Sequence, residues 1–421
     1  MAQYNTLGID FGTSNSAAGI AVNDVPYLIE IEAGNKTLPT SVFFDFDQRR
    51  SMFGTAANRA LVNGLDGRFM RSLKSVLGTS LMRESRAMMG ERLSFIDIIA
   101  RFLAHIKVQA EMHCHQEFGA ALSGRPVHFH SNDAAKDRQA LIDLEECYLK
   151  AGFKEVSFLF EPEAAALAAR TMVDGTGLSL IVDIGGGTSD FTIYRNAATG
   201  IDILASHGVR IGGTNFDRSI SFDHVMGLFG KGSLIRKELG NEMLTAPNAV
   251  FHDLATWQMI PFLYTPEKLK EVAYLERLAQ QPALISRLHA VLENQLGHDV
   301  AFAVEKGKIA ANKPERDRAL IDLGIVEQAL GVELTKEMLS HSLRPHMQEI
   351  YKGVMETLAL AGCQPDQIGA VVFVGGSSLL KDVERLLAKG FPSAELHYAD
   401  AFTAVVDGLA IAATQGDRAG R

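Results

Sequence analysis

The sequence predicts an α/β protein of two related lobes that share a ligand site. Strand-like and helix-like stretches alternate in both halves of the chain, which is typical of α/β architectures. Residues 7–16 (LGIDFGTSNS) and residues 181–190 (IVDIGGGTSD) share a pattern of apolar residues followed by aspartate, glycine and threonine. Strand-like sequence stands on both sides of each glycine turn, so each stretch is predicted to be a β-hairpin. Two such hairpins, one in each half, indicate a duplicated core.

Composition narrows the class of protein. The chain has 421 residues, of which 47% are hydrophobic and 22% charged, and its formal net charge is −9. At a prior of roughly 150 residues per domain, two or three domains are expected. The acidic balance argues against a nucleic-acid partner, which would favour a basic face. Cys114, Cys147 and Cys363 have no CxxC spacing, so neither a disulfide framework nor a structural zinc site is indicated.

The chain shows no targeting or membrane signal. Its first residues lack the basic and apolar regions of a signal peptide. No uncharged apolar run reaches the roughly 18 residues that a membrane span requires. We therefore expect a cytoplasmic monomer without a membrane partner.

Local patterns predict the elements of the first half. Apolar periodicity indicates helices, and short apolar runs between turn residues indicate strands. Pro39 is expected at a strand start or edge. The expected elements are strands within 25–46, a helical stretch at 55–78, a helix at 95–112, a strand at 125–129, a helix at 137–151, a strand at 156–160, and a helix at 163–171 that Glu161 and Pro162 open.

The second half is expected to begin at a seam, residues 175–177. Thr265 and Pro266 form a good helix start. The expected elements after the second hairpin are a strand near 201–206, a loop at 211–217, a mostly helical region at 220–312, a helix from Thr335 to about Gly362, a strand at 371–374 followed by a glycine turn and a helix, and a last element at 401–413 before a frayed tail at 416–421.

The glycine turns are candidate phosphate sites. The chain contains no GxxxxGK[ST], and Gly185, Gly186 and Gly187 lead into a strand, which argues against Walker-type and dinucleotide-binding folds. A glycine turn still lets successive N–H groups approach an anion. Thr13, Ser14 and Thr188 add hydroxyl donors. Asp10 and Asp183 at the same place would repel a polyphosphate, so Mg²⁺ bound largely through water is predicted.

The chain resembles the nucleotide-binding domain of the seventy-kilodalton heat-shock chaperones, within the actin and sugar-kinase superfamily. LGIDFGTSNS and IVDIGGGTSDF resemble the two phosphate loops of that family, and RIGGTNFD at residues 210–217 resembles the loop that follows. FLFEPEAAALA at residues 158–168 is similar to its connecting segment, and VVFVGGSSLLK at residues 371–381 to its adenosine loop. These stretches occur in the family's order along nearly the whole chain.

The resemblance implies the actin-like (ribonuclease H-like) fold, with two duplicated lobes of mixed sheet and helices around a nucleotide cleft. It implies lobe I at residues 1–176 (core 1–38 and 121–176, small subdomain 39–120) and lobe II at 177–398 (core 177–220 and 313–398, tip 221–312). A C-terminal helix at 399–421 would return to lobe I.

The resemblance also implies a set of site residues. LKSVLG at residues 73–78 places the catalytic lysine at Lys74, and Glu161, Asp183 and Asp190 would surround the magnesium and the attacking water. Either Asp190 or Asp183 would orient that water. The implied contacts with ATP or ADP are Asp10, Gly12, Thr13, Ser14, Asn15, Gly185, Gly186, Gly187, Thr188, Gly212 and Gly213 at the phosphates, and Glu305, Lys308, Gly375, Gly376 and Ser377 at the nucleoside, with Asp10 and Asp183 holding Mg²⁺.

Some positions differ from the family pattern, and the roles of others are undecided. Leu379 stands where these chaperones usually carry a stacking arginine, and residues 220–300 match poorly. Pro126 and Arg138 occupy the places of an interlobe relay, although an edge-strand proline and a surface arginine would explain them equally. His128 and His130 would share one strand face, and the histidines near them (105, 113, 115) with Cys114 lack metal-site spacing.

The function implied is that of a slow ATPase whose nucleotide state drives lobe closure and acts on an unidentified protein partner. The sequence is expected to end after the nucleotide-binding domain, without a peptide-binding domain. Two alternatives are a small-molecule (sugar or acid) kinase of the same superfamily and a nucleotide-sensing scaffold that does not hydrolyse ATP.

Overall fold

The computed structural model describes residues 5–23, 25–170, 177–197, 200–237, 242–400 and 403–419. Two compact units divide the chain, one made of residues 1–213 and 347–421 and the other of residues 214–346. The predicted seam at 175–177 lies outside the described residues except for Gly177. The predicted division into lobes at residue 176 stays a prediction.

The first sheet of the larger unit begins with the N-terminal hairpin. Its strands are β1 (Thr6–Phe11), β2 (Asn15–Val22), β3 (Val25–Leu28), β4 (Leu38–Pro39), β10 (Ala120–Arg125) and β11 (Glu155–Phe160). They run in the order β11–β10–β1–β2–β3, and β4 also pairs with β2. The pairs β1–β2 and β2–β3 are antiparallel, whereas β1–β10 and β10–β11 are parallel.

The second sheet of the same unit repeats this topology. Its strands are β12 (Leu178–Ile184), β13 (Ser189–Ala197), β14 (Gly200–Val209), β19 (Ile368–Val374) and β20 (Glu395–Tyr398). The order is β14–β13–β12–β19–β20, with antiparallel pairs on the hairpin side and parallel pairs on the other. Each sheet therefore consists of an antiparallel three-strand meander continued by two parallel strands. The predicted duplication is confirmed.

Shorter sheets and helices complete this unit. A small sheet contains β5 (Ser41–Asp45), β6 (Arg50–Phe53) and β7 (Gly67–Arg71), and β8 (Arg86–Met88) pairs with β9 (Glu91–Leu93). The helices are α1 (Gly54–Val62), α2 (Phe95–Cys114), α3 (Ala134–Lys150), α4 (Glu161–Ala169), α11 (Lys381–Gly390) and α12 (Ala404–Ala419), with most of α10 (Lys336–Ala361).

Local chemistry explains where several of these helices begin. Ser94 accepts a hydrogen bond from Asp97 N–H, and the Asp97 side chain accepts one from Ser94 N–H, so α2 starts with a capping box. Asp133 caps α3. Satisfying N–H groups that lack helical partners contributes about 1 kcal/mol per cap.

Helix α12 packs on the first sheet at very short range. A β-carbon at Gly8 of β1 would lie 2.9 Å from Ala410 N, and one at Gly408 would lie 1.7 Å from Ala164 O. The small residues of α4 and the apolar residues of α12 share one buried cluster, which includes Ala164, Ala165 and Leu409. Helix, sheet and α4 can meet this closely because side chains are absent at the contact points.

The smaller unit is mostly helical. It contains α5 (Gly213–Ile220), β15 (Leu234–Arg236), β16 (Met243–Thr245), α6 (Ala249–Leu254), α7 (Pro266–Leu278), α8 (Pro282–Glu293), α9 (Gly297–Ala311), β17 (Arg318–Asp322), β18 (Gly331–Thr335) and the start of α10. Thr265 caps α7 as predicted, because its side chain accepts from Lys268 N–H. The strands β15 and β16 interrupt the region that was expected to be mostly helical.

Two predictions in the first half are wrong. The stretch 55–78 is not one helical region, because β7 separates α1, which ends at Val62, from a short 3₁₀ helix at Leu73–Val76. The residues of β7 are extended because they pair antiparallel with β5. The strand predicted at 125–129 lies earlier, at β10. It ends at Arg125 because Pro126 has no N–H to continue the ladder. His128 and His130 therefore do not share a strand face.

Smaller differences concern element ends. Helix α4 begins at Glu161 and not at residue 163, and α5 begins at Gly213 inside the predicted loop. Helix α12 continues to Ala419, past the predicted end at 413, and the expected start at 401 lies outside the described residues. Among the helices that are described, none combines the length and apolar character needed to cross a membrane.

Candidate functional site

The turns of the two duplicated hairpins meet in the larger unit. A β-carbon at Gly186 would lie 2.4 Å from Ser14 Oγ, and one at Gly187 would lie 2.8 Å from Thr13 Oγ1. Any side chain at these two positions would collide with the hydroxyl groups of the first turn. The glycines are thus required by the close approach of the second turn to Thr13 and Ser14.

Two further glycine segments close around the second turn. A β-carbon at Gly212 would lie 2.6 Å from Gly187 N, and Gly213 N–H donates to Gly185 O at 2.9 Å. Gly375 has a φ of +79°, and a β-carbon there would lie 2.6 Å from Asp183 Oδ1. The structure therefore brings the predicted phosphate-loop residues of both halves together with the segments around Gly212 and Gly375.

The remaining predicted residues of these turns lie beside them. Gly12 precedes Thr13 in the first turn, and Asn15 starts β2. The side chain of Thr188 hydrogen-bonds to Asp190. A β-carbon at Gly213 would lie 2.5 Å from Ser377 Oγ, which places Ser377 and the adjacent Gly376 at the same glycine cluster. Their contacts with a nucleotide stay predictions.

Two aspartates face each other on the second hairpin. Asp183 of β12 and Asp190 of β13 are direct Cα partners in the antiparallel pair. Both are buried, at 5% and 1% exposure. Asp190 Oδ1 also accepts a 2.7 Å hydrogen bond from Val127 N–H, in the turn after β10. Carboxylates directly opposite one another destabilise a sheet, so this pair has no structural benefit.

Lys74 and Glu161 form a buried ion pair at the same site. Lys74 Nζ lies 2.5 Å from Glu161 Oε1, and the two side chains are 6% and 11% exposed. Lys74 lies in a short 3₁₀ helix, Leu73–Val76, and Glu161 is the first residue of α4. A single lysine or glutamate buried at this depth is rare without such a partner.

Three aspartates at the site have raised pKa values. Burial and the charge of Glu161 raise the pKa of Asp10 to about 7. Burial and the same charge raise the pKa of Asp190 to about 8. Burial and the neighbouring carboxyl groups hold the pKa of Asp183 well above its usual range. These directions are those expected for like charges that share a desolvated site.

Lys74 is held in its charged form. Burial opposes the ammonium, but the charges of Glu161, Asp10 and Asp190 outweigh burial and raise the pKa of Lys74. One ammonium faces the four carboxyl groups of Asp10, Glu161, Asp183 and Asp190. The site is therefore suited to a ligand that brings further positive charge with it.

The donor set fits a cation that keeps its own water. Among the described residues, no group of three or more His, Cys, Asp or Glu side chains is arranged to hold a metal directly. Mg²⁺ commonly keeps several waters and binds through one or two carboxylates and phosphate oxygens. Asp10 and Asp183 have the raised pKa values that such a cation would relieve.

The histidines near residues 105–130 have separate partners. His105 stacks on Phe53, with ring centroids 4.8 Å apart. His113 Nε2 lies 2.8 Å from Tyr27 Oη. His130 bonds to Leu77 O and to Arg210.

The predicted nucleoside residues Glu305 and Lys308 lie in the smaller unit, on α9. Their i, i+3 spacing puts them on one helical face, as expected. Lys308 is 7% exposed, and its Nζ lies 2.7 Å from Asp217 Oδ1. No sequence pattern predicts this pair, although Asp217 stands in the RIGGTNFD stretch. The ribose contacts of both residues stay predictions.

The structure also locates the positions that differ from the family pattern or were assigned to an interlobe relay. Leu379 ends the 3₁₀ helix Gly376–Leu379 and is 41% exposed. Pro126 follows β10, next to the Val127 N–H that binds Asp190. Arg138 is exposed on α3.

The fold has two duplicated mixed sheets, and four glycine segments surround the buried carboxyl groups and Lys74. This combination defines an actin-like nucleotide-binding domain. A family model described as Hsp70 protein matches residues 6–245, which is more than half of the chain. The chain belongs to the Hsp70 family. It is similar to the chaperone protein DnaK of Mycoplasma mycoides subsp. mycoides SC, with 27% identity over 391 residues that cover 92% of this chain and 55% of the relative. The chain thus spans about half the length of that curated relative.

Proposed function

We propose that the chain binds ATP with Mg²⁺ and hydrolyses it slowly to ADP and phosphate. The observation that carries this proposal is the buried Lys74–Glu161 pair among Asp10, Asp183 and Asp190, at the meeting point of the glycine turns. The family membership supports the nucleotide and the Mg²⁺.

Each residue has a proposed task. The N–H groups of the turns around Gly12 and Gly186, with the hydroxyls of Thr13 and Thr188, bind the phosphates. The Lys74 ammonium stabilises negative charge that develops on the transferred phosphoryl group. Asp190 or Asp183 accepts a proton from the attacking water or orients it. With a pKa of about 8, Asp190 is mostly protonated near neutral pH without ligand, so a charged ligand must first shift it to the basic form.

Asp10 and Asp183 are the residues that would hold Mg²⁺, largely through water. When bound, the cation supplies charge neutralisation between the phosphates and the carboxylates. Without it, the phosphates would face the same carboxyl groups that already repel one another.

We further propose that the nucleotide state is communicated to a protein partner. Support comes from the Val127–Asp190 hydrogen bond, which ties a candidate catalytic carboxylate to the turn that contains Pro126. A shift of the Asp190 side chain would move Val127 and the adjacent Pro126. The residues that follow would carry this displacement to the exposed Arg138 on α3. The partner is unidentified, and a cytoplasmic monomer without nucleic-acid or membrane partners remains our prediction.

Single-turnover hydrolysis and calorimetry on the purified chain test the ATPase proposal. Wild-type protein should bind ATP in the presence of Mg²⁺ and release phosphate slowly, and Lys74→Ala should abolish turnover while binding persists. Exposed Lys154 provides the control, since Lys154→Ala should leave both unchanged. Unchanged hydrolysis in Lys74→Ala removes this lysine from the mechanism, and ATP binding without any wild-type hydrolysis supports the scaffold alternative.

Partner capture in the presence of ATP and of ADP tests the second part. A protein retained in one nucleotide state and not in the other is expected. Its retention should be lost in Asp190→Asn, which cannot ionise. Equal retention in both states contradicts the proposed coupling.

A further inference from the structure

The segment that carries Lys74 is held by three side chains from other elements. Arg210 Nη2 donates to Ser75 O at 2.6 Å, and His130 Nε2 donates to Leu77 O at 2.7 Å. Asp143 accepts from Gly78 N–H at 3.0 Å. Three backbone groups that follow the lysine within four residues are thus fixed from outside the segment.

The segment itself contributes little rigidity. Its 3₁₀ helix spans four residues, and Ser72 before it has a φ of +60°, a left-handed conformation that is unfavourable for serine. Short 3₁₀ turns have poor hydrogen-bond geometry. The side chains that bind Ser75, Leu77 and Gly78 therefore help to position Lys74, together with its ion pair to Glu161.

Arg210 and His130 also bind each other, in an arrangement that fixes the protonation of the imidazole. A backbone carbonyl such as Leu77 O can only accept, so His130 Nε2 carries the proton. Arg210 Nη1 lies 2.8 Å from His130 Nδ1. Because the guanidinium can only donate, Nδ1 must be the unprotonated acceptor. His130 is therefore neutral whenever this pair is intact.

Arg210 stands next to the phosphate turns. It lies two residues before Gly212, where a β-carbon would collide with the backbone of Gly186 and Gly187. Ser189 Oγ donates to Ile211 O at 2.7 Å, which secures the residue between them. A displacement of the Gly212 segment would therefore move the guanidinium that binds Ser75 O.

We propose that Arg210 and His130 are positioning residues for Lys74, which couple the Gly212–Gly213 segment to the lysine segment. This inference rests on the proposed ATPase function. Neither residue is proposed to contact the reacting atoms. Arg210 transmits the position of the phosphate turn, and His130 completes the link by binding both the guanidinium and Leu77 O.

The charged neighbours of His130 determine how the link responds to pH. Arg210 and Lys136 disfavour a charged imidazole, and Asp137 favours one. Burial is the largest effect and, with these cations, lowers the pKa of His130 below its usual value. Protonation at Nδ1 would put an N–H opposite Arg210 and break the pair. The link should therefore be intact at neutral pH and open in acid.

Single-turnover hydrolysis and ATP binding of Arg210 variants test the role. Arg210→Met should lower the hydrolysis rate about 10- to 100-fold, the effect expected when a reacting group is misplaced by about 1 Å, and should leave the Kd for ATP within about twofold. Arg210→Lys should be intermediate, because an ammonium cannot reproduce the planar fork. Arg92 is a matched control, since its guanidinium also donates to a backbone carbonyl, Ser85 O, at an exposed site. Arg92→Met should leave hydrolysis unchanged.

Measurements on His130 variants distinguish a positioning role from a purely structural one. The wild-type rate should fall in acid for two reasons, because the link opens and because the carboxylate that accepts the proton becomes protonated. His130→Gln cannot titrate and can still donate to Leu77 O, so its rate should fall less steeply in acid than that of wild type. Identical acid limbs in the two proteins would contradict the role of His130. Imidazole ¹⁵N NMR should show the Nε2–H tautomer in wild type and an altered Nδ1 shift in Arg210→Met.

The outcomes separate the two proposals. Wild-type hydrolysis with an unaffected Arg210→Met overturns this inference alone, as does a rate loss that merely follows lost ATP binding or lost thermal stability. Absence of hydrolysis in wild type overturns the ATPase proposal and this inference with it.

Discussion

Asp183 and Asp190 are direct partners across the β12–β13 pair, and both side chains are buried. Burial and neighbouring negative charge oppose the ionisation of both groups in the folded state, so their charged forms are costly. Such a destabilising pair is expected where a protein retains charge for a ligand.

We predict that Asp190→Asn stabilises the ligand-free protein more at pH 8 than at pH 4. A carboxyl group whose pKa rises from 3.8 to about 8 on folding favours the folded state below about pH 4 and loses that contribution as the pH rises towards 8. Asparagine has no such loss and can still accept from Val127 N–H. Thermal melting at both pH values measures the difference.

A control for this experiment is Asp66→Asn, at an exposed position. Its melting temperature should follow wild type at both pH values. An Asp190→Asn protein whose stability difference from wild type shrinks towards pH 8 would show that burial and the charge of Glu161 do not make the ionised Asp190 costly.

Removal of the Lys74 charge should destabilise the protein strongly. Lys74→Met retains a long apolar side chain but leaves Glu161 buried without its partner, and loss of one member of a buried pair costs about 3–5 kcal/mol. Lys268 pairs with Glu271 at the surface, and Lys268→Met should cost less than about 1 kcal/mol. Urea unfolding at pH 8 measures both. Equal costs would mean that burial adds nothing to the Lys74 pair.

Asp143 should be important for stability although its partner Arg83 is exposed. It is fully buried and accepts from Gly78 N–H, Arg83 and Gln139. Asp143→Ala leaves the buried Gly78 N–H unsatisfied and removes the contacts with Arg83 and Gln139, so it should cost about 2–4 kcal/mol. Urea unfolding measures this cost.

Glu146 is the matched control, because it binds the same arginine at 2.7 Å but is 44% exposed. Glu146→Ala should cost less than about 1 kcal/mol. Similar losses in the two variants would assign the stability to Arg83 and not to the buried contact with Gly78.

A single methyl group should disrupt the phosphate turns. The β-carbon of Gly212→Ala would lie 2.6 Å from Gly187 N, so the two turns must separate. We expect the Kd for ATP to rise at least about 10-fold, which corresponds to about 1.4 kcal/mol. Gly177→Ala, where the β-carbon would meet open space, should bind as wild type does. Calorimetry that finds equal affinities would place the nucleotide away from Gly212.

The sequence predicted the elements that its local signals define. Both hairpins, the capped helix α7 and the duplicated sheets were predicted, because alternating apolar residues, caps and glycine turns act over short distances. The strand β7 was not, since its residues gain their extended conformation from pairing with β5. The end of β10 was also misplaced, although Pro126 could have indicated it.

The candidate site was predicted through a motif resemblance, and the structure brings Lys74, Glu161, Asp183 and Asp190 together. The partners that fix them were not predicted. Arg210 and His130 lie 80 positions apart, and no periodicity links them. Asp217 and Lys308 are likewise a tertiary pair in the smaller unit.

The close packing of α12 has a consequence for synthesis of the chain on the ribosome. Gly8 of β1 touches the backbone of Ala410, and Thr414 Oγ1 donates to Ala21 O at 3.3 Å. The N-terminal hairpin therefore emerges about 400 residues before the helix that covers it. Contacts this distant in sequence form late and slow folding. One face of the first sheet stays uncovered throughout elongation, so this protein is itself exposed to aggregation as a nascent chain.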